Sequence, residues 1–303
     1  MKKFLSLILA AVMLLSTAAF AEEYAVKVSA PSGAPALALA TLAVEKPEDY
    51  TFVAADTISA EFANANADFI IAPLNAGAKL FKLGKSTYQL AGVVCWGNLA
   101  FASQKEGFKL EDMNGAKVVL FGENTINTSV VRYALEKNGI VPAEIEYLGS
   151  AANTQALLLS DAEAIVVTAE PALTASKMKN DKITAYAVND LYKAATGFEG
   201  YTQAGLFVKA ETAANQPEAV EAFLKLVEEA CLKNVEDIPA VAEAAVALEL
   251  LPNVKVATNA IPGCAVKYVN AWDAKEQVEQ TANVDLTQFG GAVPADAFYY
   301  GAK

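Results

Sequence analysis

The sequence predicts an α/β fold, because apolar strand-like runs alternate with helix-prone segments and because the chain is long enough for two lobes. A chain of 303 residues can bury a large core, and chains of this size normally divide into more than one unit. The segments between the strand-like runs are rich in alanine, leucine and lysine, a pattern typical of parallel strands joined by crossover helices. We therefore expect parallel strands arranged in two α/β lobes.

The predicted elements fall into two series. Strands of the first series are expected at 24–30, 50–55, 69–72 and 89–95. The second series is expected to comprise a strand at 117–121, a helix at 127–138 and strands at 145–148, 164–167, 183–187 and 203–208. Gly139 directly follows the predicted helix, at the position where a glycine commonly ends a helix. A long helical tail then begins near Pro217, with apolar residues at the three-and-four spacing of one buried face.

The first residues resemble a secretory signal. Lys2 and Lys3 precede an unbroken apolar run at 7–15, and Ala19 and Ala21 have the small-residue spacing of a cleavage site. The run is shorter than the ~20 residues that span a bilayer. No cysteine stands beside the cleavage site, so no lipid anchor is expected. We predict cleavage after Ala21 and export to the periplasm or the extracellular space.

Composition excludes several classes of function. The formal net charge of −12 disfavours binding to nucleic acid or anionic lipid. The chain has no histidine, and Arg132 is its only arginine. Histidine-dependent triads and histidine metal sites are therefore excluded, although carboxylate, lysine or tyrosine catalysis remains open. We expect no catalytic residues, no metal, no cofactor and no enzymatic activity.

The three cysteines are too few for a disulfide framework. They are Cys95, Cys231 and Cys264, an odd number that leaves at least one thiol unpaired within a single chain. A Cys231–Cys264 bridge and three buried free thiols both remain open.

Several motifs, taken in order, resemble the solute-binding proteins of ABC transporters. The resemblance is to the branch that contains binding proteins for thiamine pyrimidine precursors, nitrate and sulfonates, and it covers about residues 24–300. The motifs are PSGAPALA at 31–38, DFIIAPLN at 68–75, WGNL at 96–99, NGAKV at 114–118, Glu170-Pro171, GGAVP at 290–294 and FYY at 298–300.

The resemblance implies a periplasmic-binding-protein type II-like fold, in which a ligand cleft lies between two lobes joined by two crossing strands. The crossings are expected near 99–103 and 201–206, with 22–102 plus 205–303 as lobe 1 and 103–204 as lobe 2. It also implies a monomer that delivers a small ligand to an ABC permease. A sensor that docks onto a membrane receptor is an alternative, and an enzyme of the pyrimidine-synthase type is a weaker one, since that chemistry depends on histidine and a cysteine cluster.

Candidate ligand contacts in lobe 1 follow strand ends, where ligands of open parallel sheets bind. Ser32 and Gly33 precede a helix-prone run and either offer amides to a ligand or form an ordinary cap and turn. Asn75 offers an amide after the third strand, or caps a helix. Trp96, Gly97 and Asn98 supply an aromatic face with backbone room beside it, or Trp96 packs the hinge.

Candidate contacts in lobe 2 include two carboxylates. Glu123, Asn124 and Thr125 follow the strand at 117–121, and Glu170 precedes Pro171. A cleft carboxylate would suit an amine or an amidine-like edge and would repel an anion. Glu123 is equally consistent with a solvated loop, and Glu170 with a brace at the hinge. We expect a neutral or amine-bearing ligand, with heteroaromatic vitamin precursors among the candidates.

Overall fold

The protein is represented by a computed structural model that describes residues 26–301. The predicted signal segment at 1–21 lies outside the described residues. Within the described part, no helix is both long and apolar enough to cross a membrane.

One sheet has six strands, ordered β11-β4-β10-β3-β1-β2. The strands β1, β2 and β3 are parallel to one another, whereas β10 runs antiparallel to β3 and β4, and β11 antiparallel to β4. Their bounds are β1 Val28–Pro31, β2 Tyr50–Val53, β3 Phe69–Pro73, β4 Tyr88–Cys95, β10 Ala204–Lys209 and β11 Val266–Asn270.

The other sheet has five strands, ordered β7-β6-β8-β5-β9. The strands β6, β7 and β8 are parallel, and β5 runs antiparallel to β8 and β9. Their bounds are β5 Leu99–Ser103, β6 Lys117–Phe121, β7 Glu144–Leu148, β8 Ile165–Ala169 and β9 Thr184–Ala187.

The predicted α/β class is confirmed, but the expectation of parallel strands holds for only part of each sheet. The antiparallel members include β5 and β10, which directly follow the connections between the sheets. A strand that enters a sheet from the other lobe has no crossover helix to return it to the same end, so it runs against its neighbours. The sequence reasoning also missed β11, whose run contains two outward-facing polar residues, Lys267 and Asn270.

Helices fill the connections between strands. The α-helices are α1 Ala40–Ala43, α2 Glu61–Asn64, α3 Leu74–Lys82, α4 Ile126–Lys137, α5 Ala151–Ser160, α6 Ala172–Lys177, α7 Val188–Thr196, α8 Ala210–Asn215, α9 Pro217–Glu236, α10 Ile238–Ala247, α11 Val254–Ala260 and α12 Lys275–Val284. Short 3₁₀ helices occur at Ala34–Ala38, Pro47–Asp49, Ile58–Ala60, Leu110–Met113, Ile261–Cys264, Leu286–Phe289 and Asp296–Phe298.

The long helix α9 buries the face that its spacing predicts. Val220, Phe223, Leu224 and Val227 are buried in it, and Phe223 packs on Phe69 of β3 with ring centroids 4.3 Å apart. Burying a large apolar side chain contributes about 1.5–3 kcal/mol. This packing holds the C-terminal helices on the six-stranded sheet.

All three cysteines are buried free thiols, so the possible Cys231–Cys264 bridge is not present. Burial raises the pKa of the Cys95 and Cys231 thiols to about 12. A buried thiol that keeps its proton is a poor nucleophile. These residues therefore act as small apolar side chains in the core.

The chain passes between the sheets at two crossovers. The first is Trp96-Gly97-Asn98, between β4 and β5, and the second is the segment 197–203, which leads from α7 into β10. Strand β5 pairs only with β8 and β9, so the change of sheet precedes Leu99 rather than occurring within the expected 99–103. The lobe boundaries at 102 and 205 stay a prediction.

Candidate functional site

A cavity of about 530 Å³ lies between the two sheets, at the carboxyl ends of β1, β3, β6 and β8. Pockets of 300–1,000 Å³ at this position of α/β sheets commonly hold small molecules. Its lining residues are Pro31, Ser32, Gly33, Ala34, Pro35, Ala55, Pro73, Asn75, Ala76, Asn98, Phe121, Asn124, Thr125, Ile126, Asn127, Ala151, Ala169, Glu170, Pro171, Ala172, Gln203, Ala204 and Gln288.

First-turn residues of several helices contribute to this lining. Ala34 opens the 3₁₀ helix after β1, Asn75 lies in the first turn of α3, Ile126 opens α4, Ala151 opens α5 and Ala172 opens α6. Each helix N-terminus carries a partial positive charge and amide groups without an intrahelical acceptor. The cavity wall is therefore rich in backbone donors.

Seven of the ten predicted contact residues line this cavity. They are Ser32, Gly33, Asn75, Asn98, Asn124, Thr125 and Glu170. Thr125 also caps α4, because its Oγ1 accepts the amide of Thr128 at 3.4 Å. The cap reading of Thr125 is thus correct, and its role as a ligand contact stays a prediction like that of the other six.

Trp96 and Gly97 do not line the cavity, although Asn98 does. The indole Nε1 of Trp96 donates to the carbonyl of Lys267 at 2.8 Å, and its side chain lies at a second cavity. Residues two apart normally share one side of an extended chain. Gly97 has a φ of 89°, and this left-handed turn places Trp96 and Asn98 on different sides. The geometry favours the hinge-packing alternative for Trp96.

Glu123 also lies outside the cavity lining. It is exposed in the loop between β6 and α4, next to Asn124, which is part of the wall. The solvated-loop alternative describes its position better than the cleft carboxylate did.

A chain of hydrogen bonds connects both crossovers to the end of β8. Gln203 donates from Nε2 to Oδ1 of Asn98 at 3.0 Å, and Asn98 donates from Nδ2 to the carbonyl of Glu170 at 3.0 Å. The amide of Glu170 in turn donates to the carbonyl of Asn98 at 3.0 Å. Sequence reasoning missed Gln203, even though it lies within the predicted second crossing at 201–206.

A second set of amides joins the lobes on the opposite rim. Asn75 donates to Oε1 of Gln288 at 3.4 Å, and Gln288 donates to the carbonyl of Asn124 at 3.0 Å. Oδ1 of Asn75 is buried and has no partner among residues 26–301. Sequence reasoning also missed Gln288 and Asn127. Gln288 has no local signal, since it is 213 residues from Asn75, whereas Asn127 opens the predicted helix two residues after the candidate Thr125.

Glu170 carries the only ionisable carboxylate among the lining residues, and the described lining includes no lysine or arginine. Its carboxylate accepts the amide of Thr174 at 3.1 Å and the hydroxyl of Thr174 at 2.9 Å. Burial raises the pKa of this carboxyl above its ordinary value, although the bonds from Thr174 and the charge of Lys177 act in the other direction. The cavity thus places a desolvated carboxylate beside neutral amides.

The raised pKa predicts how Glu170→Gln changes stability with pH. Because the folded protein holds this proton to higher pH than the unfolded chain, the carboxyl lowers stability as pH rises above the ordinary glutamate value of about 4.3. We expect the variant to gain stability relative to the parent between about pH 4 and neutrality. Urea unfolding at several pH values measures the difference, and a difference independent of pH would contradict the assignment.

Comparison with known proteins places the fold. Residues 97–237 match the family model described as NMT1/THI5 like. The structure of an ABC transporter protein from Parabacteroides distasonis has a TM-score of 0.79 at 20% identity, covering 92% of this chain and 99% of that chain. The chain has the substrate-binding-protein fold of ABC transporters. The predicted periplasmic-binding-protein class and the resemblance to this group of proteins are confirmed.

Two further solved structures share this fold. The periplasmic aliphatic sulphonate binding protein of Escherichia coli has a TM-score of 0.70 at 16% identity and covers 92% of each chain. The ligand-binding component of an ABC-type import system from Staphylococcus aureus, with zinc bound, has a TM-score of 0.67 at 12% identity and covers 92% of this chain and 98% of that one. No curated protein matches the sequence.

The zinc-bound structure is a neighbour in fold, at 12% identity. Among residues 26–301, no group of three histidine, cysteine, aspartate or glutamate side chains is placed to hold a metal ion.

Proposed function

We propose that this chain is an extracytoplasmic solute-binding protein that closes over a small neutral or amine-bearing ligand and delivers it to an ABC permease. The observation that carries the proposal is the cavity between the two sheets, where the half-buried carboxylate of Glu170 is the only charged side chain among the described lining residues. The names of the fold neighbours support a role in transport.

The cavity walls favour a compact ligand with flat apolar faces. Proline and alanine residues and the ring of Phe121 form the apolar part of the wall. Amide side chains, including Asn98, Gln203 and Gln288, supply both donors and acceptors at its edges. A heteroaromatic ring with an amino substituent has matching faces and edges.

The position of Glu170 supports a ligand that carries an amino group. A cationic or N–H donor group beside a desolvated carboxylate forms a charge-assisted hydrogen bond, which is about twice as strong as a neutral one. The charge argument that the sequence made for Glu123 therefore applies to Glu170. No lysine or arginine in the described lining would offset this carboxylate for an incoming anion.

An anionic solute is a second candidate, favoured by the helix first turns of α3, α4 and α5 at the wall. Each such terminus stabilises a nearby negative charge by about 0.3–1 kcal/mol, up to ~2 kcal/mol when partly buried. Together they could exceed the repulsion from Glu170 if the anion binds far from it. The two candidates predict opposite responses to neutralising Glu170.

Contacts between the lobes indicate how closure would be sensed. Besides the bond from Gln288 to Asn124, Ser129 on α4 donates to Oδ2 of Asp285 at 2.7 Å. A ligand that contacts both walls would favour the arrangement in which these bonds form, and so shift the open and closed populations. A sensor that docks onto a membrane receptor would use the same closure with another partner.

A thermal-shift screen of vitamins, pyrimidines, polyamines and oxyanions tests the proposal. A ligand at about 100 times its dissociation constant adds about 2.7 kcal/mol to the free energy of unfolding. Absence of any hit across these classes would count against solute binding.

For the ligand that the screen finds, Glu170→Gln separates the candidates. Losing a charge-assisted bond of about 1.5–3 kcal/mol predicts about 10- to 150-fold weaker binding of an amine. Binding of a neutral ligand should change little, and an anion should bind more tightly. Titration calorimetry measures these constants. As a control, Glu123→Gln removes an exposed carboxylate next to the cavity wall and should leave the dissociation constants of amine, neutral and anionic ligands unchanged. A proven amine that binds the Glu170→Gln and Glu123→Gln variants equally well would refute the role of Glu170.

A further inference from the structure

A second cavity, also of about 530 Å³, lies behind the crossovers and shares no lining residue with the first. Its wall combines both crossovers, represented by Trp96 and Phe198, with the end of α9 at Asn234, strand β11 at Lys267 and helix α12 at Gln277. It is as large as the proposed solute site, so it can hold a small molecule of its own.

Three amide side chains on this wall have an acceptor oxygen that is buried and lacks a hydrogen-bond partner in the described structure. They are Asn189, Asn234 and Gln277. Asn234 is only 3% exposed. An unsatisfied buried acceptor is unfavourable, and most buried polar atoms in folded proteins are paired. The amides of Asn189 and Asn234 are fixed, because their Nδ2 groups donate to the carbonyls of Trp96 at 2.9 Å and Leu37 at 3.3 Å, so only Gln277 is free to offer its acceptor oxygen to an occupant.

Gln277 is the most adaptable of the three. No hydrogen bond joins its side chain to another residue of the described structure, and its terminal amide torsion has a broad energy profile. Rotation about this torsion exchanges the positions of its oxygen and nitrogen, so the side chain can turn its oxygen toward an occupant of the cavity.

The same wall carries aromatic surface and nearly balanced charge. The rings of Trp96 and Phe198 line it, and a planar ligand can stack on an aromatic face. Glu199 and Lys267 are the charged lining residues; both are exposed, and Glu199 already pairs with Lys193. The wall therefore selects for N–H donors more than for a net charge.

From this combination we infer that the cavity behind the crossovers is a second binding site, for a small planar heteroaromatic molecule with N–H donors. Its occupant would touch both crossovers, because Trp96 belongs to the first and Phe198 and Gly200 to the second. The site is thus built from the two segments that join the lobes.

Fluorescence of Trp96 tests the inference directly. The chain has two tryptophans, and Trp272 lines neither cavity, so Trp272→Phe leaves Trp96 as the sole indole. Adenine serves as the donor-bearing planar probe and caffeine, which is planar and has no N–H group, as its control. We expect a saturable change in Trp96 emission with adenine and none with caffeine.

Variants then locate the probe. In the Trp272→Phe background, Gln277→Leu removes one acceptor and should weaken adenine binding at least tenfold, whereas Gln280→Leu on the same helix should not change it. Ala55→Phe narrows the first cavity and should also leave the affinity for adenine unchanged. Gln277→Met is the second variant if the leucine variant is poorly folded.

The inference would be overturned by no saturable change with adenine, by equal binding of adenine and caffeine, or by full binding by the folded Gln277 variants. Loss of the signal in Ala55→Phe would assign the probe to the first cavity and would equally refute a second site.

Discussion

Gly200→Ala is expected to lower the free energy of unfolding by about 2–4 kcal/mol, because the two crossovers touch at this residue. A Cβ at Gly200 would lie 2.3 Å from the carbonyl oxygen of Trp96 and 3.1 Å from Nδ2 of Asn189. That carbonyl also accepts a bond from Asn189 at 2.9 Å. Backbone cannot yield as a flexible side chain does, so the variant must separate the crossovers and weaken this bond. Urea unfolding measures the loss.

Gly149→Ala is the matched control for Gly200→Ala. Neither glycine has a left-handed φ, and a Cβ at Gly149 would meet only Oδ1 of Asn153 at an ordinary 3.5 Å. The control should keep the stability of the parent or gain slightly, since alanine restricts the unfolded chain. If Gly200→Ala unfolds at the same urea concentration as the control, the crossovers are not held by this contact.

Gly263→Ala is expected to weaken binding of the solute by about tenfold, or 1.4 kcal/mol, with a much smaller effect on stability. Gly263 belongs to the 3₁₀ helix Ile261–Cys264, which packs with the six-stranded sheet, whereas Glu170 follows β8 of the other sheet. A Cβ at Gly263 would lie 2.9 Å from Cγ of Glu170 and 3.1 Å from its Oε1. The alanine would displace the carboxylate or hold the lobes apart.

Two measurements separate these effects for Gly263→Ala. Titration calorimetry with the ligand from the screen gives the affinity, and unfolding of the ligand-free protein should differ from the parent by less than about 1 kcal/mol, because exposed positions tolerate substitution. Affinity equal to that of the parent would show that closure does not bring Gly263 against Glu170. Gly149→Ala again supplies the unperturbed comparison.

Most strands of the fold could be predicted from local patterns. The strand at 117–121 was predicted with its observed bounds, and the helix expected at 127–138 begins at Ile126 and ends at Lys137. Apolar runs and glycine or proline boundaries depend on neighbouring residues in the chain, which is why they can be read locally. Strand β11 was missed because its five residues include the exposed Lys267 and Asn270, so no continuous apolar run marks it.

The candidate site could be predicted where ligand contacts follow strand ends. Ser32, Asn75 and Glu170, proposed from strand ends or from the family resemblance, all line the cavity, because the carboxyl ends of parallel strands meet at one edge; their contact with a ligand stays a prediction. Gln203 and Gln288 were missed because their place at the cavity depends on pairing across the fold. Trp96 was expected either to contact the ligand or to pack the hinge. The left-handed Gly97 separates it from Asn98, so Trp96 lies at the second cavity, and its contact with the solute stays a prediction.

The sequence by itself determined the α/β class, the absence of histidine chemistry, and the strand ends that carry polar residues, because composition and periodicity need no knowledge of distant partners. Only the tertiary structure decided which carboxylate lies in the cleft, where the tryptophan faces and that a second cavity lies behind the crossovers. These depend on the dihedral angles of a few crossover residues and on contacts between segments that are far apart along the chain. A small change in the dihedral angles of these crossover residues would move one whole sheet relative to the other.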